Sequence, residues 1–246
     1  MPNESGDMKL MGNLRLLTDL VSADATYNPA NPALVVTALE SQYTAGLASV
    51  TEISSKLAPN KVAINDRQTS FETLRKVILR SRNMLTASNV SEAVRADAET
   101  YVRKLTGKRK SAKPPATPDN PNTPENEAGA SHSASQMSFD NQVGNFASYI
   151  QLLANVSEYN PNEADLKVTG LNALLDDLQA KNNAVSSSFV PLSQARGVRD
   201  NLLYTGAGCI ANTGQLVKAY VKAAMGTNSQ LYKQIKGLKF DRAGKK

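Results

Sequence analysis

Apolar side chains recur along this chain with the spacing of an α-helix. Leu171, Leu174, Leu175 and Leu178 fall at i, i+3, i+4 and i+7, with Val185 two turns further, which places one apolar stripe on one helical face. Earlier in the chain Leu39, Tyr43, Leu47, Val50 and Leu57 form a similar series, and Phe71, Leu74, Ile78 and Leu85 form another. Val94, Tyr101, Val102 and Leu105 predict a further helix, and so do Leu216, Val217, Tyr220, Val221 and Ala224. Shorter helices are expected around 8–21 and 139–156. Alternating Val/Ile runs separated by hairpin turns, which would announce strands, do not occur. The pattern predicts an all-α protein.

The period stops between 108 and 137, KRKSAKPPATPDNPNTPENEAGASHSASQM. Pro, Ser, Ala, Asn and charge dominate there, and such a segment buries too little apolar surface to offset its ordering entropy. It reads as a disordered linker. The chain therefore divides into a first helical repeat, 1–107, the linker, 108–137, a second helical repeat, 138–226, and a basic tail, 227–246. Each repeat is expected to form an antiparallel bundle of three or four helices.

The two flanking segments resemble each other. Tyr27-Asn28-Pro29 recurs as Tyr159-Asn160-Pro161, an offset of 132. At that offset Leu34, Val36, Thr37, Leu39 and Arg67 meet Leu166, Val168, Thr169, Leu171 and Arg199. Tyr101-Val102-Arg103 and Gly107 meet Tyr220-Val221-Lys222 and Gly226 at offset 119. Collinear matches of this kind point to duplication. The Tyr-Asn-Pro turn reads as a helix start, because Asn caps helices and Pro tolerates the first helical position. Asn160, Pro161 and Glu163 resemble a capping box. In the first repeat Pro32 moves the expected start to Asn31. Tyr27 and Tyr159 precede these caps and are expected to pack on the first turn.

Around Tyr159-Asn160-Pro161-Asn162-Glu163-Ala164-Asp165-Leu166 the chain resembles uncharacterised bacterial helical proteins with paired YNPNE-type repeats. The likeness spans both repeats but not the linker. The first repeat departs from the pattern, with Ala30-Asn31-Pro32 in place of Asn-Glu-Ala. The resemblance implies a helical fold and carries no activity with it.

Charge and chemistry narrow the functional classes. The net charge of +6 is uneven. Residues 1–106 carry +1 and residues 138–226 carry −1, while the last twenty carry +5. A 41% apolar content with no Trp suits a core of Leu, Val, Ile and Ala packed between helices. Cys209 and His132 are single residues of their type, and His132 lies in the linker. That removes internal disulfides, Cys-rich zinc sites and most His-dependent catalysis. The glycine cluster Gly206–Gly214 follows no strand and precedes no Lys-Ser/Thr, so it reads as a loop and not a phosphate cradle. Asp176 and Asp177 are adjacent on a helix and point about 100° apart. No run approaches the roughly 20 apolar residues of a membrane span. No metal or cofactor is expected, and the chain reads as soluble and cytoplasmic.

Two basic segments are candidate interaction sites. Arg75, Lys76, Arg80 and Arg82 decorate the helix striped by Phe71, Leu74 and Ile78. In the tail, Lys233, Lys236, Lys239, Arg242, Lys245 and Lys246 surround Leu231, Ile235 and Leu238. The leading expectation is a non-enzymatic scaffold that binds another protein or itself. The alternative is nonspecific nucleic-acid or anionic-surface binding through the tail.

Overall fold

The computed structural model describes residues 4–107 and 137–241, and the described residues hold helices and no strand. The expected linker lies outside them except for Met137. The α-helices are α1 (Glu4–Ser22), α2 (Val36–Ala87), α3 (Glu92–Thr106), α4 (Phe139–Ala154), α5 (Val168–Asp200), α6 (Ile210–Met225) and α7 (Gln230–Ile235). A 3₁₀ turn, Pro32–Leu34, precedes α2, and a π turn, Asn201–Thr205, extends α5.

The stripes from Leu39 to Leu57 and from Phe71 to Leu85 were expected on separate helices, and both lie on α2. Pro59 sits inside α2 and Pro191 inside α5, again 132 residues apart. A proline removes one helix N–H and normally kinks or breaks the helix. Here both prolines are exposed, as are Ser55 and Ser187 four residues earlier, whose carbonyls lose their helix partner where water is near. Leu47 and Leu216, both placed on apolar stripes, are 36% and 43% exposed.

The chain forms two compact units that do not follow the expected repeats. A terminal unit joins Met1–Lys61 to Ser187–Lys246, and a central unit is Val62–Ser186. The division runs through α2 and through α5. Sequence periodicity marks which face of a helix is buried but not which other helix covers it, so it does not distinguish bundles over 1–107 and 138–226 from the division observed.

In the terminal unit α1 packs on α6 and α7, and the core gathers Leu10, Leu14, Leu17, Leu34, Leu39, Leu203, Val217, Val221 and Ile235. In the central unit α3 packs on α4, around Phe71, Leu74, Ile78, Val102, Phe146, Tyr149, Leu153 and Leu171. The helix ends are locally encoded. Ser91 and Ser138 cap α3 and α4 through their hydroxyls. Gly107 and Gly226, at φ 72° and 80°, close α3 and α6 and donate their N–H groups to the carbonyls of Arg103 and Lys222.

The Tyr-Asn-Pro segments have a role other than the expected one. Asn31 caps the 3₁₀ turn, accepting from the Ala33 N–H, and α2 begins only at Val36. Asn160, Pro161 and Glu163 cap no α-helix, because α5 begins at Val168. The tyrosines close the loop instead. Tyr27 OH donates to the Leu34 carbonyl at 2.6 Å, and Tyr159 OH donates to the Leu166 carbonyl at 2.8 Å. A loop that must return to start a helix leaves a carbonyl unsatisfied, and a hydroxyl seven residues earlier supplies the donor.

Candidate interaction cleft

The central unit carries a cleft of about 500 Å³, within the range of ligand pockets. Its apolar lining is Phe71 and Leu79 from α2 with Met137 and Phe139 at the start of α4, and Glu72, Arg75 and Lys76 stand beside them. The period of α2 explains the arrangement. Leu74, Val77 and Ile78 point into the core, so Arg75 and Lys76 emerge on the opposite side. Both are exposed, and among the described residues neither has an ion-pair partner.

Arg80 and Arg82, grouped with them in sequence, are separated by their partners. Arg80 pairs with Asp165, and Arg82 approaches Glu99 at 3.7 Å. The basic stretch thus resolves into two paired arginines and two cations at the cleft.

Below the cleft Phe139 lies under a guanidinium, with the Arg67 carbon 3.9 Å from the ring centroid. Arg67 Nη1 also donates to Asn182 Oδ1 at 3.0 Å. Deeper in the unit, Ser81 Oγ lies 3.1 Å from Tyr149 OH and 2.9 Å from Tyr159 OH. Each hydroxyl has one proton, and that of Tyr159 goes to Leu166 O. The run is therefore Tyr149 to Ser81 to Tyr159 to the carbonyl. Burial pushes the Tyr149 hydroxyl up to about 12, with the Ser81 hydrogen bond opposing, and raises Tyr159 for the same reason. Neither is poised for proton transfer near neutrality.

The tail was set apart as a basic extension, and its described part is built into the terminal unit. Leu231, Ile235 and Phe240 are buried. Lys218 Nζ donates to the Leu238 carbonyl at 2.9 Å, and Asn13 Nδ2 to that of Lys239 at 2.8 Å. Phe240 lies directly on Gly214 of α6, where any Cβ would collide with its ring. Lys233, Lys236 and Lys239 remain exposed, while Arg242, Lys245 and Lys246 lie outside the described residues. Gly214, expected in a loop, is a residue of α6 whose missing side chain makes room for the tail.

The terminal unit also holds a charged cluster that sequence reasoning missed. Arg199, 2% exposed, pairs with Asp7, and its Nε lies 2.8 Å from Asp200 Oδ1. Tyr204 OH donates to Asp7 Oδ1 at 2.7 Å. Arg199 appeared only as a repeat match, and the spacing of 192 residues to Asp7 hides the pair. Cys209 is buried, as a small apolar residue would be. Among the described residues no three His, Cys, Asp or Glu side chains gather where they could hold a metal ion, and no helix is long and apolar enough to cross a membrane. No family model, curated protein or solved structure matches the chain.

Proposed function

We propose that this chain is a non-enzymatic helical scaffold that binds another protein, and that the central cleft takes an acidic segment of that partner anchored by an apolar side chain. The observation that carries this reading is the pairing of Arg75 and Lys76, exposed beside Glu72 and in no ion pair among the described residues, with the apolar wall of Phe71, Leu79, Met137 and Phe139. A carboxylate would meet the cations while a Leu or Phe enters the apolar part. The test is titration of the full chain with a labelled peptide alternating Asp or Glu with Leu or Phe, followed by fluorescence anisotropy and by NMR of the methionine methyl groups. Binding that moves the Met137 methyl and weakens at least tenfold in Arg75→Glu/Lys76→Glu supports the reading. Binding unaffected by that double change, or no binding at low salt, overturns it.

A second reading, a nonspecific binder of nucleic acid or another anionic polymer, draws on Lys233, Lys236 and Lys239, which face water from a docked segment. Removing the tail would uncover Leu231, Ile235 and Phe240, so the suitable variant is Lys233→Gln/Lys236→Gln/Lys239→Gln. Duplex DNA binding that falls steeply with salt and is lost in this variant favours the second reading.

We further propose that the chain carries two copies of one helical repeat joined by the linker. Several features support it at the offset of 132: the ends of α1 and α4, the tyrosine-to-carbonyl bonds, the starts of α2 and α5, and their internal prolines. The glycine caps of α3 and α6 add support at the offset of 119.

A further inference from the structure

We infer that the segments before and after residues 108–136 are each other's obligate folding partner, exchanging halves reciprocally, so that neither holds a complete core without the other. This stands on the composition of the two cores and not on the binding role of the cleft. In the central core Phe71, Leu74, Ile78 and Val102 come from before 108, while Phe146, Tyr149, Leu153 and Leu171 come from after 136. In the terminal core Leu14, Leu17 and Leu39 come from before, and Leu203, Val217, Val221 and Ile235 from after.

The exchange is reciprocal position by position. Helix α1 packs on α6, and α4, its match at offset 132, packs on α3, which matches α6 at offset 119. Arg199 reaches back across the chain to Asp7. Its match Arg67 reaches forward to Phe139, which is the match of Asp7. The same two repeat positions therefore meet in both units, each time with one member from each side. The contacts are also buried and specific: Ser81 from one side completes the hydroxyl run of Tyr149 and Tyr159 from the other. A segment of about 100 residues that contributes half of two cores has no core of its own to bury, and small domains have little margin for such a loss. The partner surface that each segment fits is the other repeat.

The experiment uses the full folded chain with a protease recognition sequence introduced at 118–125. The chain is purified intact, cut in native buffer, and followed by light scattering on a sizing column and by thermal melting at several concentrations. The cut protein is expected to elute at the mass of the whole chain, about 26.4 kDa plus the inserted sequence, with unchanged helicity. Its Tm is expected to rise with each tenfold increase in concentration, while that of the uncut chain stays fixed, because folding has become bimolecular. Two pieces that separate on the column with their helicity kept would overturn the inference. So would a concentration-independent Tm in the cut protein, while helicity lost as the pieces part on dilution supports it, because each piece then unfolds without the other.

Discussion

Arg199 of the terminal unit and Arg67 of the central unit, 132 residues apart, have different partners. Arg199 is buried and meets a carboxylate, Asp7, that Tyr204 holds in place. Arg67 is half-buried, lies over the face of Phe139 and bonds to the amide of Asn182. At the offset of 132, Phe139 stands against Asp7, Glu72 against Tyr204 and Gln68 against Asp200, and Phe139, Glu72 and Gln68 line the central cleft. One unit has filled this corner with a closed ionic cluster. The other has left an apolar hollow edged by charge. The comparison teaches that two arginines 132 residues apart, given different neighbours, stand in a buried ionic cluster in one unit and beside an apolar cleft in the other.

The largest expected effect breaks the closed cluster. Asp7→Ala leaves the buried Arg199 with Asp200 as its remaining carboxylate and is expected to cost about 3 kcal/mol in denaturant unfolding. The matched change Phe139→Ala removes a cation–π contact from a partly solvated guanidinium and should cost about 1–2 kcal/mol. Equal losses would remove the distinction between the units.

Gly214→Val drives the Phe240 ring off α6. It is expected to cost about 2 kcal/mol, close to the value of burying one such side chain. Hydrogen exchange of residues 230–241 should quicken while the central unit is unaffected. Protection of the tail unchanged from the parent would show that the ring does not hold it.

Tyr159→Phe removes the donor to a buried carbonyl and breaks the hydroxyl run at Ser81, with an expected loss of about 1–2 kcal/mol. Tyr27→Phe, in the half-buried counterpart, should cost less. Alkaline titration separates the same elements. Burial raises Tyr149 above its unfolded value of 10 to about 12. The neutral form is therefore the stabilised one, and its contribution is complete below pH 10 and lost as pH rises through about 12. Unfolding monitored from pH 9 to 12 should show stability falling in that window. Tyr149→Phe should flatten the fall, and an unchanged slope would assign the alkaline loss to other groups.

The smallest expected effect is at the surface. Arg80→Ala removes an ion pair whose partners are each 52% exposed, and it should change stability by less than about 1 kcal/mol. A larger loss would give Asp165 a structural role in the loop before α5.

Much of the architecture was legible along the chain because it is local. Apolar stripes at helical spacing gave the helices, and Gly107 ends α3 because a left-handed residue closes an α-helix, while Gly226 ends α6 in another positive-φ conformation open to glycine. The Tyr-Asn-Pro segments were legible as a recurring feature, and Asn31 caps a helix as expected, though a 3₁₀ turn and not α2, while Asn160 caps no α-helix. The chemistry that matters there is a hydroxyl reaching a carbonyl seven residues on, which no capping pattern contains. Of the candidate site, Arg75 and Lys76 were visible as charges, yet nothing local distinguished them from Arg80 and Arg82. Asp165 and Glu99, which pair with the latter two, lie far along the chain or on another helix.

The sequence by itself determined that the chain is helical, which segments carry apolar helical faces, and that matching positions recur in two segments. Helix formation and capping depend on neighbours within about four residues, so their signals are written consecutively. Only the tertiary structure decided that α2, and α5 together with its π turn, each serve two cores, that the tail lies on Gly214, and that Arg199 meets Asp7 while Arg67 meets a ring. Those outcomes depend on which apolar faces bury each other across more than a hundred residues, and the burial of apolar surface carries no direction along the chain.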